Sequence, residues 1–114
     1  MISIIIPVLN EASTIETLLD DIYKKGTLQN ISQIIVVDGG SKDNTIDLAA
    51  AFSEKLPLNI LKGRKGRAKQ MNVGAQSATG SILYFLHADT ILPKNLILKL
   101  FMNTKKGTLL VVLE

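Results

Sequence analysis

Two residues beyond an apolar run are the first candidates for chemistry. Ser81-Ile82-Leu83-Tyr84-Phe85-Leu86 carries no charge and stops at His87-Ala88-Asp89-Thr90. Imidazole and carboxylate both ligate metals, and His87 is the only histidine in the chain. In extended chain a spacing of two sets both side chains on one side. The continuous apolar run predicts a strand buried on both faces, as in parallel sheets covered by helices. In such sheets ligands bind beyond the carboxyl ends of the strands. One histidine argues against a zinc centre of ordinary composition. An oxygen-rich Mg²⁺ or Mn²⁺ site, shared with a substrate phosphate, is the better match. Taken alone, His87 reads more simply as a structural histidine at a strand end.

The second candidate stretch is Asp38-Gly39-Gly40-Ser41-Lys42-Asp43-Asn44-Thr45. Asp38 closes an apolar run, where its carboxylate can accept hydrogen bonds from a base or a ribose. The glycines allow a sharp turn and close approach of a ligand. Ser41 and Asp43 also suit a helix cap. Capping is the stronger reading for Asp43, and ligand contact for Asp38. The loop resembles a calcium-binding loop but lacks the closing Glu. Lys62, Arg64, Lys65, Arg67 and Lys69 form a third stretch. They suit a local phosphate site, or simply a solvated helix start. Gly66 to Gly74 opens a helix that could hold a pyrophosphate or close-pack on glycine, and spacing leaves both open. The first turn, Pro7-Val8-Leu9-Asn10-Glu11, lacks the glycines of a dinucleotide fingerprint. No Walker loop or nucleophile elbow is present.

Strands alternating with helices would position these residues. Ile2 to Val8 reads as a strand, and Ile15, Leu18, Leu19 and Ile22 recur at helical spacing, with either Ser13 and Glu16 as a capping box or Asn10 capping an earlier start. Ile34 to Val37 is a second buried strand. Ile46, Ala49 and Ala50 mark one face of the next helix, and Leu58 to Leu61 a third strand. Ala68, Met71, Ala75 and Ala78 mark a third helix ending near Gly80. After the fourth strand, Pro93 starts a helix with Leu96, Leu100 and Phe101. Thr108 to Leu113 reads as a last strand. This order predicts an α/β fold with a mainly parallel, twisted sheet and helices on both faces. Four successive strands then aim polar loops at one edge.

The chain has 114 residues with a 46% apolar fraction, enough for one domain with its own core and too apolar for disorder. Cysteine is absent, which fits a reducing, cytoplasmic setting. The apolar N-terminus is short and lacks a basic leader, so it reads as a strand. No apolar run is long enough to cross a bilayer. The net charge of +3 is mild and aromatics are sparse, which argues against nucleic acid as a partner.

These motifs together resemble the nucleotide-binding half of a family-2 glycosyltransferase with a Rossmann-like GT-A fold. The matching pieces are Ile4 to Glu11, Val36 to Thr45, Gly66 to Gly74, and Gly80 through Asp89 to Pro93. The wording Gln70-Met71-Asn72 and His87-Ala88-Asp89-Thr90 resembles a small bacterial branch. The resemblance implies transfer of a sugar from a UDP- or GDP-linked donor, with inversion and with help from Mg²⁺ or Mn²⁺. It places Pro7, Asn10 and Glu11 at the nucleoside and Asp38 at the base. Gly66, Arg67 and Asn72 lie along the nucleotide, with Arg67 toward phosphate. Asp89 matches the last acid of the D-x-D motif and so the metal ligand. His87 stands where that motif has its first acid, and its contact is metal, sugar or phosphate. Met71 stands where relatives often carry Arg.

Family members continue into a half that binds the acceptor and supplies the catalytic base, and no acid here is placed for that role. The expectation is therefore a single donor-binding domain over residues 1–114, truncated or a natural fragment, and poorly active by itself. A truncated sheet exposes an edge, which favours self-association. Membrane association of the full protein, at the inner face, stays open. The rival readings are an inactive glycosyltransferase-like assembly module and, less favoured, a nucleotidyltransferase.

Overall fold

The computed structural model describes residues 1–25, 28–92 and 110–113, the last four as backbone. The helix expected from Pro93, with Leu96, Leu100 and Phe101, lies outside the described residues.

The elements are β1 (Ile2–Val8), α1 (Ile15–Lys25), a 3-10 turn (Leu28–Asn30), β2 (Ile31–Asp38), α2 (Thr45–Ala50), β3 (Leu58–Lys62), α3 (Arg67–Ser77), β4 (Ile82–Phe85) and β5 (Leu110–Leu113). The strands form one sheet in the order β3-β2-β1-β4-β5, and every pairing is parallel. The expected α/β class is thus the class observed, with a fully parallel sheet among the described residues.

The alternation of β1 explains the layering. Ile2, Ile4, Ile6 and Val8 pack with Ile15, Leu18, Leu19 and Ile22 of α1 and Ala49 of α2. Ile5 points the other way and packs with Ile35, Val37 and Phe85 against Met71 and Val73 of α3. Both faces of the central strands are therefore covered, which is why their sequences run apolar without alternation. Each fully buried Ile contributes roughly 1.5–3 kcal/mol of burial free energy, so this core outweighs any local propensity. β3 pairs only with β2 and is half-buried, as suits an edge. On α3, Gly74 is buried, and a Cβ there would run into Ile5 and Val37. Of the two readings left open for Gly66 to Gly74, close-packing on glycine holds at this position.

Several helix details differ from the sequence pattern. Thr14, not Ser13, stands directly before α1, and the Glu11 carbonyl accepts from Thr14 N–H and Ile15 N–H. On α2 the buried residues are Thr45 and Ala49, while Ala50 is exposed. On α3 they are Gln70 and Gly74, while Ala68 is exposed. Small alanines carry little burial energy, so neighbouring elements set the rotation of both helices.

Candidate functional site

The strand order reverses between β1 and β4, because β2 and β3 build to one side of β1 and β4 to the other. Ligands of open parallel sheets bind beyond such a reversal. Register levels the strand ends there. Val8 lies beside Asp38, and Asp38 beside Lys62. Phe85 lies beside Ile5, so the loop after β4 begins deeper along the sheet.

Beyond β1 opens a cleft of about 240 Å³. One wall is Pro7, Val8, Leu9 and Glu11; the other is Lys65, Gly66, Arg67 and Gln70. Lys65 and Arg67 are exposed. From Lys55 to Ala88 the sequence has no acidic residue, so no nearby acid in sequence neutralises this basic loop. The wall can attract an anion, and the guanidinium can grip phosphate in a fork.

The loops after β1 and β2 are tied together by side chains. Asn10 takes a left-handed backbone with φ 53, which Asn tolerates better than most residues. Its N–H donates to Ser41 Oγ at 2.9 Å, and its Oδ1 accepts from Lys42 N–H at 2.8 Å. Glu11 N–H donates to Thr45 Oγ1 at 2.9 Å, and Ala12 N–H to Asp43 Oδ2 at 3.2 Å. Asp43 also accepts from Thr45 N–H and the Thr45 hydroxyl. The Thr45 hydroxyl is the main cause that holds the Asp43 carboxyl below its ordinary value. Asn44, not Ser41 or Asp43, stands at the N-cap of α2; Asp43 holds Thr45, the first residue of the helix, from one position earlier and docks the first loop as well.

Asp38 is only 6% exposed, and its carboxylate accepts from Gly40 N–H, Ser41 N–H and Ser41 Oγ. It organises its own loop. A carboxylate has about four acceptor positions, so capacity for one more donor remains.

The cleft thus brings together Pro7, Glu11, Gly66 and Arg67 of the residues singled out from sequence. Asn10 and Asp38 sit in the loop network beside it. Asn72 is exposed on α3, two residues past the buried Gln70. β4 ends at Phe85, and a turn follows in which Thr90 N–H donates to the His87 carbonyl at 3.0 Å. The extended alternation expected to align His87 with Asp89 therefore does not hold. His87 is half-buried and Asp89 exposed. Asp89 lines a smaller pocket of about 130 Å³ with Ser13, Thr14 and Thr17. Among the described residues no three His, Asp or Glu side chains converge. A hard cation would therefore depend on Asp89 together with ligand oxygens. That donor set fits Mg²⁺ or Mn²⁺, which are commonly held by one or two carboxylates and substrate phosphates.

Lys65, singled out from sequence only as part of the basic stretch, lines the cleft; Gln70 was missed. Gln70 Nε2 donates to the Val8 carbonyl at 2.9 Å and the Val37 carbonyl at 2.8 Å. The available signal was its spacing of four from Gly74, which puts both on one helix face.

A family model described as glycosyl transferase family 2 matches residues 3–113. The chain belongs to glycosyl transferase family 2. A PGL/p-HBAD biosynthesis glycosyltransferase of Mycobacterium bovis is 40% identical over 92 residues, which is 78% of this chain and 35% of the relative. Among solved structures, S. aureus TarS 1-349 in complex with UDP-GlcNAc superposes with a TM-score of 0.77 at 25% identity, covering 87% of this chain and 29% of that one. A mannosyltransferase from Pyrobaculum calidifontis, in complex with GDP-Man and Mn²⁺, gives a TM-score of 0.73 at 32% identity, covering 81% and 28%. The chain spans about a third of the length of these curated relatives. The family and the GT-A type of fold expected from the four motifs are those found. Among the described residues no helix is long and apolar enough to cross a membrane.

Proposed function

We propose that residues 1–114 form the donor-binding domain of an inverting glycosyltransferase that uses a UDP- or GDP-linked sugar. The observation that carries this is the cleft beyond β1, with the Pro7–Glu11 loop on one wall and Lys65 and Arg67 on the other. A nucleoside diphosphate needs that pairing: a fixed surface for the nucleoside and cations for the diphosphate. Family membership supports the reading, as do the nucleotide-sugar complexes of two fold neighbours.

In this reading Asp38, already fixed by its loop, takes a donor from the base. Arg67 and Lys65 hold the phosphates and stabilise charge that grows on the leaving diphosphate. A divalent cation held by Asp89 would neutralise part of the same charge. His87 and Asn72, which lie outside the cleft lining, are further candidate contacts of the nucleotide sugar. The acceptor site and the catalytic base are assigned to none of the described residues.

Titration calorimetry with UDP and GDP, with and without Mn²⁺, tests the reading. Binding of one nucleotide is expected, strengthened by Mn²⁺. Asp89→Asn should abolish the Mn²⁺ effect and leave the metal-free affinity in place. Absence of binding by both nucleotides would remove the proposal.

A further inference from the structure

We infer that Gln70 is a positioning residue of the cleft, setting the basic loop that carries Lys65 and Arg67 against the ends of β1 and β2. The inference rests on the nucleotide reading above and names what holds its cationic wall in place.

Gln70 is 4% exposed, and every polar group of its side chain is used. Its two amide hydrogens go to the carbonyls of Val8 and Val37, the last or next-to-last residues of β1 and β2. Two carbonyl acceptors admit only the nitrogen there, so the amide's orientation is fixed. The Oε1 then accepts from Gly66 N–H at 3.2 Å, and Gln70 N–H donates to the Gly66 carbonyl at 2.9 Å. Gly66 is therefore held through both of its peptide groups. It sits between Lys65 and Arg67, so the amide fixes the point from which both cations reach the cleft.

The environment selects glutamine. Glu would turn carboxylate oxygens toward two carbonyl oxygens. Met would fill the space and supply no hydrogen bond. Gly39 adds an independent link, because a Cβ built there lies 2.7 Å from Gln70 Oε1. The substitution Gly39→Ala would therefore push the amide off its partners. The space this amide occupies thus calls for glycine at one of the two positions after Asp38.

The test compares the parent with Gln70→Met, and with Gly39→Ala should the first variant not fold. Three readouts are taken: calorimetric affinity for UDP and GDP, the salt dependence of that affinity, and tryptic cleavage under native conditions. Cleavage after Arg64, Lys65 and Arg67 reports the loop, and cleavage after exposed Lys55 reports the rest. The expected result is about tenfold weaker nucleotide binding, from loss of hydrogen bonds that orient charged groups. The salt dependence should flatten, because Lys65 and Arg67 no longer act together. Cleavage should accelerate in the loop only. Unchanged affinity in a folded variant would overturn the inference. So would equal acceleration at Lys55, which marks general loosening. If the parent binds neither nucleotide, the donor reading falls. Anchoring of the loop by Gln70 then stands or falls on loop-limited cleavage.

Discussion

The two walls of the cleft are built differently. The β1 and β2 loops form a wall held by side-chain hydrogen bonds in both directions, through Asn10, Ser41, Asp43 and Thr45. Its polar residues face one another, so a ligand would meet a surface already fixed. The basic wall has exposed Lys65 and Arg67 on a loop tied to β2 at its start by Gly63 N–H on the Asp38 carbonyl, and beside the cations by one buried side-chain amide. Preorganisation is therefore concentrated where a neutral nucleoside would lie. The cations are left long and adaptable where a diphosphate would lie. Charged side chains attract over several ångströms and need less exact placement than hydrogen-bond donors to a base.

The largest effect on this contrast should come from Thr45→Val. Thr45 is fully buried, and its hydroxyl accepts from Glu11 N–H and donates to Asp43. Valine keeps the shape and leaves the Glu11 N–H without its partner. That costs about 1–3 kcal/mol, and each kcal/mol lowers Tm by roughly 4–8 °C in a domain near this size. Calorimetric melting should show this fall, with weaker UDP or GDP binding beside it. A Tm equal to the parent's would mean that the first wall is not held by its side chains.

The next effect inverts the first. Lys65→Ala and Arg67→Ala should each weaken nucleotide diphosphate binding about tenfold, through loss of a charged phosphate contact. Both residues are exposed, so stability should change by no more than about 0.5 kcal/mol and Tm should stay close to the parent's. Affinity lost without stability would separate the basic wall from the fixed one. A large Tm loss in either variant would erase the distinction.

The same contrast explains what could be read from sequence. β1 and β2 were legible because a strand covered on both faces must be apolar throughout, and Ile4 to Ile6 and Ile34 to Val37 meet that demand. The polar loops beyond them were legible as a group because strand ends in a parallel sheet share one edge. What each polar residue holds was not legible, since Asp43 and Asn10 choose partners some thirty positions away. Gln70 was hidden for another reason. A glutamine in a helix of weak apolar pattern reads as solvent-facing, and only two strand carbonyls at its level make burial worthwhile. The relation of His87 to Asp89 failed on a local rule, because β4 stops before the chain reaches them and a turn replaces alternation.

The smallest effect is confined to acid. The Thr45 hydroxyl, then the N–H groups of Thr45 and Ala12, hold the Asp43 carboxyl below 3.8, against partial desolvation. A carboxyl with a depressed folded value stabilises the protein fully above its unfolded value. That contribution drains away as pH falls through the folded one. Asp43→Asn should therefore be less stable than the parent near neutrality. The gap should hold down to about pH 4 and close below it, where the parent's carboxyl is protonated too. Denaturant midpoints of both proteins across this range would show the convergence. A gap of constant size into strong acid would mean that the loops are joined by the geometry of residue 43 and not by its charge. The first wall would then owe nothing to electrostatics, and charge would belong to the basic wall alone.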